Sequence, residues 1–167
     1  MDAADTNLDP IKALRSEHEA VRAVLNNLEG YLKKISLVSS GGLRNNLINQ
    51  LSGITAFMDK DLETHFKKEE DALFPVLGNY IGIETGPIHV MLIEHKRSRE
   101  LSAEFKIKIN NYPADGDFQS IIEIGGSFGR LLSEHIEKEE GILFNMADIQ
   151  LSQGEKRGIM EKMRNIK

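Results

Sequence analysis

Apolar residues recur along this chain at steps of three and four, the spacing of a single helical face, and strand-like alternation is almost missing. Four long segments carry that spacing. The first runs from about Pro10 to Ser36, with Ile11, Leu14, Val21, Leu25, Leu28, Leu32 and Ile35 on one stripe and His18 filling the gap between Leu14 and Val21. Asp9 before Pro10 supplies an N-cap followed by proline at the first helical position. The second, from about Leu43 to Leu77, follows the turn signal Ser39-Ser40-Gly41-Gly42. Its stripe is Leu47, Leu51, Ile54, Met58, Leu62, His65, Glu69 and Leu73, with Pro75 expected to bend or end it. Thr85-Gly86-Pro87 opens a third helix with Ile88, Leu92, His95, Ser102, Phe105 and Ile109 inward, and Tyr112 to Gly116 closes it. The fourth covers about Phe118 to Met146, with Ile121, Gly125, Phe128, Leu132, His135, Glu139, Ile142 and Met146 on its stripe. Ser152 with Glu155 three residues later reads as a capping box that starts a short fifth helix over about 152–165. Four long helices on short loops predict an all-α, up-down-up-down four-helix bundle with a short C-terminal fifth helix.

Length fits one domain over 1–167, at roughly 100–200 residues per domain, with the bundle core at about 10–147. Lys and Arg number 21 against 26 Asp and Glu, a net charge of −5, which argues against a general nucleic-acid binder because such proteins need a basic face. Cysteine is absent. That removes disulfides, thiolate-held zinc, iron–sulfur ligation and thiol nucleophiles, and leaves His, Asp and Glu as the strong metal ligands. The start, Met-Asp-Ala-Ala-Asp-Thr-Asn, is acidic and unlike a secretory signal, and no apolar run approaches ~18 residues. A cytoplasmic protein without membrane attachment is expected.

The chain also repeats itself. His65-Phe-Lys-Lys-Glu69-Glu70-Asp-Ala-Leu73-Phe74 and His135-Ile-Glu-Lys-Glu139-Glu140-Gly-Ile-Leu143-Phe144 agree at six of ten positions, 70 residues apart. Glu17-His18 with Arg22 and Glu94-His95 with Arg99 share the pattern Glu-His-x-x-x-Arg, 77 residues apart. The first two helices therefore correspond to the last two, as two hairpins facing each other about a pseudo-twofold axis.

Positions i and i+4 lie on one helical face, so His65 with Glu69, and His135 with Glu139, point inward together. Two carboxylates and four imidazoles, His18, His65, His95 and His135, in one apolar interior would be costly unless a cation joined them. Four His and two Glu divide into two metals, each with two His, both Glu bridging, and positions left for a bridging oxide or hydroxide or a small diatomic ligand. Nitrogen and oxygen donors without sulfur suit iron, manganese or zinc. Glu70 and Glu140 are expected to be solvated or to stand behind the metal ligands. Arg22 and Arg99 are expected either to pair with carboxylates near the site or to lie on the surface. Glu17, Glu94 and Glu134 precede His residues but do not share their face, and are expected to be peripheral. His89 lies about 240° around the helix from His95 at ~100° per residue, which makes it a surface or gate residue unless distortion of the helix start brings it in.

With these residues assembled, the stretch from about Ile11 to Met146 resembles the hemerythrin-like, or HHE cation-binding, family. The resemblance implies a four-helix bundle around a non-haem pair of iron ions, oxo- or hydroxo-bridged, with iron ahead of manganese or zinc. It makes His18, His65, His95 and His135 terminal ligands and Glu69 and Glu139 bridges. Two features depart from the oxygen-carrying hemerythrins, which have two His four residues apart on the third helix and a last carboxylate that is an Asp five residues after its His. Here His89 and His95 are six apart and Glu139 follows His135 by four. The implied function is binding of oxygen, nitric oxide or peroxide for sensing, storage or stress response. The alternatives are turnover at the same site (peroxide dismutation, nitric oxide reduction or iron-centre repair) and an iron-dependent switch docking a partner protein, for which the fifth helix with Lys156, Arg157 and Lys162 is the candidate element.

Overall fold

The computed structural model describes residues 9–167; the acidic start read above lies outside them. Helix α1 spans Pro10–Leu37 and begins as its sequence requires: the Asp9 carboxylate accepts the backbone N–H groups of Ile11 at 2.9 Å and Lys12 at 3.3 Å. Helix α2 (41–81) runs unbroken through Gly41–Phe57, a π turn at Met58–Leu62, Glu63–Lys68, a second π turn at Glu69–Leu73, and Phe74–Ile81. Helix α3 is Pro87–Asp115, closed by Gly116 at φ 68°, where a side chain would be strained. Helix α4 (118–150) comprises Phe118–Lys138, a π turn at Glu139–Leu143 and Phe144–Gln150, and α5 is Gln153–Arg164. The Ser152/Glu155 capping box is formed in both directions.

The four long helices form a square bundle, α1 packing on α2 and α4, and α3 on α2 and α4. Two apolar clusters fill it. One holds Val21, Leu62, Phe66, Leu101, Leu132 and Ile136 on its inner boundary; the other holds Leu14, Leu73, Met91 and Leu143. The sequence positions between those boundaries are His18, His65, Glu69, His95, His135 and Glu139, so a polar layer crosses the bundle between two apolar cores.

Pro75 does not end α2. The preceding π turn absorbs the misfit, and the Asp71 carbonyl, which has no N–H from Pro75 to accept, accepts from the Lys162 ammonium on α5 instead. Helix α5 is thus a lid on this end of the bundle: Ile159 and Met163 are buried in the second cluster, and Lys156 pairs with Asp148 at 2.7 Å and Asp9 at 3.8 Å.

The π turns also correct the expected stripes. Each inserts one residue, so the buried positions beyond Glu139 are Leu143 and Ala147, while Ile142 is 52% exposed and Met146 only half-buried. Ile48 takes the buried place expected for Leu47, and Met91 that of Leu92, each expected residue being half-buried beside it.

Candidate metal centre

Every helix of the bundle sends one imidazole to the axis, and α2 and α4 each add a carboxylate one turn on. His18, His95, Glu69 and Glu139 have no measurable exposure, and His65 and His135 are buried. His65 Nε2 lies 3.3 Å from Glu69 Oε1, and His95 Nε2 lies 3.3 Å from Glu69 Oε2. On the other side Glu139 Oε2 is 3.2 Å from His18 Nε2 and 3.3 Å from His135 Nε2. Among the described residues two groups result: His18, His65, Glu69 and Glu139, and then His95, His135, Glu69 and Glu139. In each, one atom per residue lies within 4.8 Å of the others. Both glutamates belong to both groups.

The outer ring nitrogens are held by a second ring of carboxylates that passes around the bundle. Glu17 on α1 meets His65 Nδ1 on α2 at 2.8 Å; Glu70 on α2 meets His95 Nδ1 on α3 at 2.7 Å. Glu94 on α3 meets His135 Nδ1 on α4 at 3.0 Å, and Glu140 on α4 returns to His18 Nδ1 on α1 at 2.8 Å. Each of these carboxylates is itself clamped by a cation: Glu17 by Lys68, Glu94 by Lys138, Glu70 by Arg99 at 2.9 and 3.1 Å, and Glu140 by Arg22 at 3.1 and 2.8 Å. Glu63 also receives Arg99, at 2.8 Å. The expectation that Glu17 and Glu94 are peripheral is therefore wrong. They do not share the face of the His beside them; they reach the His of the next helix. Glu70, Glu140, Arg22 and Arg99 take the pairing role. Glu134 and His89 are exposed and belong to neither group.

This wiring dictates the chemistry inside. A carboxylate on Nδ1 fixes the proton there and turns the Nε2 lone pair inward. The Nε2 atoms of His18 and His65 then face each other at 3.2 Å, as do those of His95 and His135. All four oxygens of Glu69 and Glu139 are buried without a hydrogen-bond partner among the described residues. Opposed lone pairs beside orphaned carboxylate oxygens are what a bound cation relieves, and the all-nitrogen-and-oxygen donor set fits a divalent metal such as iron. Without one, protons must serve. Burial disfavours the charged imidazole at His65, but Glu69, Glu17 and Glu139 outweigh it and push its pKa up to about 10. Burial opposes charge at His135 too, and Glu139, Glu94 and Glu69 raise it to about 9. At Glu69 burial and the neighbouring Glu139 act upward, yet the imidazoles His65 and His95 hold it below the usual carboxylate range. Burial likewise works against ionised Glu139, and His135, His18 and His65 hold it well below that range. At Glu70 burial is overcome by His95 and Arg99, which bring its carboxyl down to about 2.

Aromatic rings wall the layer. Phe66 stacks on His95 with centroids 3.9 Å apart, Phe74 at 5.9 Å, and Phe144 stacks on His18 at 5.4 Å.

The sequence profile of the hemerythrin HHE cation-binding domain matches residues 9–147. The chain belongs to that family. The match spans all four bundle helices up to Ala147, leaving α5 outside it. Among curated proteins this HHE domain is similar to a protein of Neisseria gonorrhoeae named iron-sulfur cluster repair protein DnrN. The two are 27% identical over 136 residues, which is 78% of this chain and 84% of the relative.

Proposed function

We propose that this protein holds two iron ions in its His/Glu layer and binds a small diatomic or peroxide ligand there, such as oxygen, nitric oxide or hydrogen peroxide, for sensing, storage or a stress response. His18 and His65 would hold one ion, His95 and His135 the other, and Glu69 and Glu139 would bridge them. The observation that carries this reading is the pair of overlapping groups with both glutamates in common. Four protein atoms per metal leave coordination positions free, and iron bound in this way supplies an open redox-active centre. The chain supplies the rest. The four Nδ1 carboxylates hold the imidazoles in one tautomer and one orientation, and the lysines and arginines hold those carboxylates. Phe66, Phe74 and Phe144 keep bulk water off the inner nitrogens.

A second reading, turnover in the service of iron-sulfur cluster repair, is supported by the name of the Neisseria relative. We place the protein in the cytoplasm, without a nucleic-acid or membrane partner; no helix of the described residues is long and apolar enough to cross a membrane. Anaerobic titration of the iron-loaded protein with nitric oxide tests the binding reading. Saturable changes in optical and spin-resonance spectra, lost in His95→Ala, are expected. A loaded protein whose spectra ignore nitric oxide, oxygen and peroxide alike would overturn it, and repeated consumption of nitric oxide or peroxide without loss of iron would favour the second reading.

A further inference from the structure

The internal repeat makes two of the four seams equivalent, and they have diverged. The α2/α3 seam carries Met58, Leu62, Phe66, Ser98 and Ser102; the corresponding positions of the α4/α1 seam are Phe128, Leu132, Ile136, Val21 and Leu25. Two hydroxyls and a thioether thus replace apolar residues on one side of the bundle. A cavity of about 150 Å³ opens there, lined by Met58, Glu63, Phe66, Ser98, Arg99 and Ser102 among others. That is room for several water-sized molecules. Ser98 is 2% exposed and its hydroxyl has no hydrogen-bond partner among the described residues. Ser102 donates to the Met58 sulfur at 3.4 Å, which leaves its oxygen lone pairs to accept. At a core position whose twofold mate is valine, an orphaned hydroxyl is costly unless something comes to it.

The surroundings define the visitor. The rim is fringed by two ion pairs, Asp59 with Lys106 and Glu63 with Arg99. Balanced charge at the mouth offers an anion or a cation no net attraction. Inside, a free donor and several acceptors favour a hydrogen-bonding molecule over an inert diatomic. The inner wall is the Phe66 ring, with the Arg99 guanidinium 5.3 Å from its centroid on one side and His95 stacked on it. A larger cavity of about 390 Å³ touches His65 between α1 and α2, but there Glu17, clamped by Lys68, already occupies the outer nitrogen of the ring.

We infer that the α2/α3 cleft is a binding site for a small, uncharged, hydrogen-bonding ligand of the hydrogen peroxide class, seated on Ser98 and Ser102 on its way to the His95/His135 side of the layer past Phe66. This rests on the proposed function for the destination, and on the cleft alone for the site. Because the chain has no cysteine, Ser98→Cys places a single thiol in the cleft. In the metal-free protein, methyl methanethiosulfonate, small and uncharged, should modify it roughly tenfold faster than the thiol of Ala147→Cys, set in a core position with no exposure. In the iron-loaded protein, hydrogen peroxide should change the visible spectrum several times more slowly in Ser98→Val and in Ser98→Ala than in the native chain, at unchanged iron content. Equal labelling of the two thiols would overturn the cleft. Fast labelling with an unaltered peroxide rate would overturn its role as the way in. Failure of the chain to take up iron would count against the proposed function, while the labelling would still decide whether the cleft admits a ligand.

Discussion

Raising the pH should weaken the metal-free protein and leave the loaded protein alone. Although burial opposes charge there, the Nδ1 carboxylates and the buried pair Glu69 and Glu139 raise His65 to about 10 and His135 to about 9, against an ordinary value of 6.5. Folded values above the unfolded value mean stability that is complete below pH 6.5 and is lost as pH climbs through 9 and 10. From about pH 7.5 to 8.5 the folded metal-free chain holds two protons that the unfolded chain has released. Each costs ~1.4 kcal/mol per pH unit, so stability falls by about 2.7 kcal/mol per unit. At ~2–4 °C per kcal/mol for a chain of this size, the melting temperature should drop by about 5–10 °C per unit. A bound metal takes the place of both protons and removes the slope. Thermal unfolding followed by circular dichroism between pH 7 and 9, with and without chelator, reads the difference. A metal-free melting temperature that stays level, or two curves that fall in parallel, would refute the proton-for-metal exchange.

Three further outcomes follow from the same geometry. His65→Ala combined with Glu69→Ala should abolish stoichiometric metal binding, Glu140→Ala should weaken it roughly 10–100-fold by freeing His18 Nδ1, and Arg22→Ala should keep both metals; elemental analysis after dialysis separates the three. Leu143→Ala should cost about 2–5 kcal/mol, whereas Ile142→Ala should stay within about 0.5 kcal/mol, a contrast in urea unfolding that reports the extra residue of the π turn. A Cβ on Gly125 would meet the Phe105 ring at 2.8 Å and Leu32 at 3.0 Å, while Gly126 has open space. Gly125→Ala should therefore destabilise by about 1–3 kcal/mol and Gly126→Ala should stabilise by about 0.5–1 kcal/mol.

The bundle and its six inward polar residues were legible because each lies on an apolar stripe and because the repeat displays the pattern twice. What escaped the reading has two physical causes. Glu17 and Glu94 do not share a face with the neighbouring His, but face-sharing concerns one helix only and their partners stand on the next. Their signal was present: both recur in the repeat, as do Glu70 and Glu140. The register beyond Glu139 slipped because steps of three and four assume a uniform helix. His65, Glu69, Leu73 and Leu77, and then His135, Glu139, Leu143 and Ala147, step by four throughout. A 3.6-residue helix would carry such a series off its face, so the run of fours was itself the mark of a π turn.

The proposed centre is a metal pair held by four histidines and two shared glutamates. Its most direct test is elemental analysis of the protein after anaerobic loading with ferrous iron and removal of excess, with the visible spectrum taken before and after oxygen. About two iron atoms per chain and a charge-transfer band that appears with oxygen are expected. One iron or none per chain, with an unchanged spectrum, would rule out the metal pair.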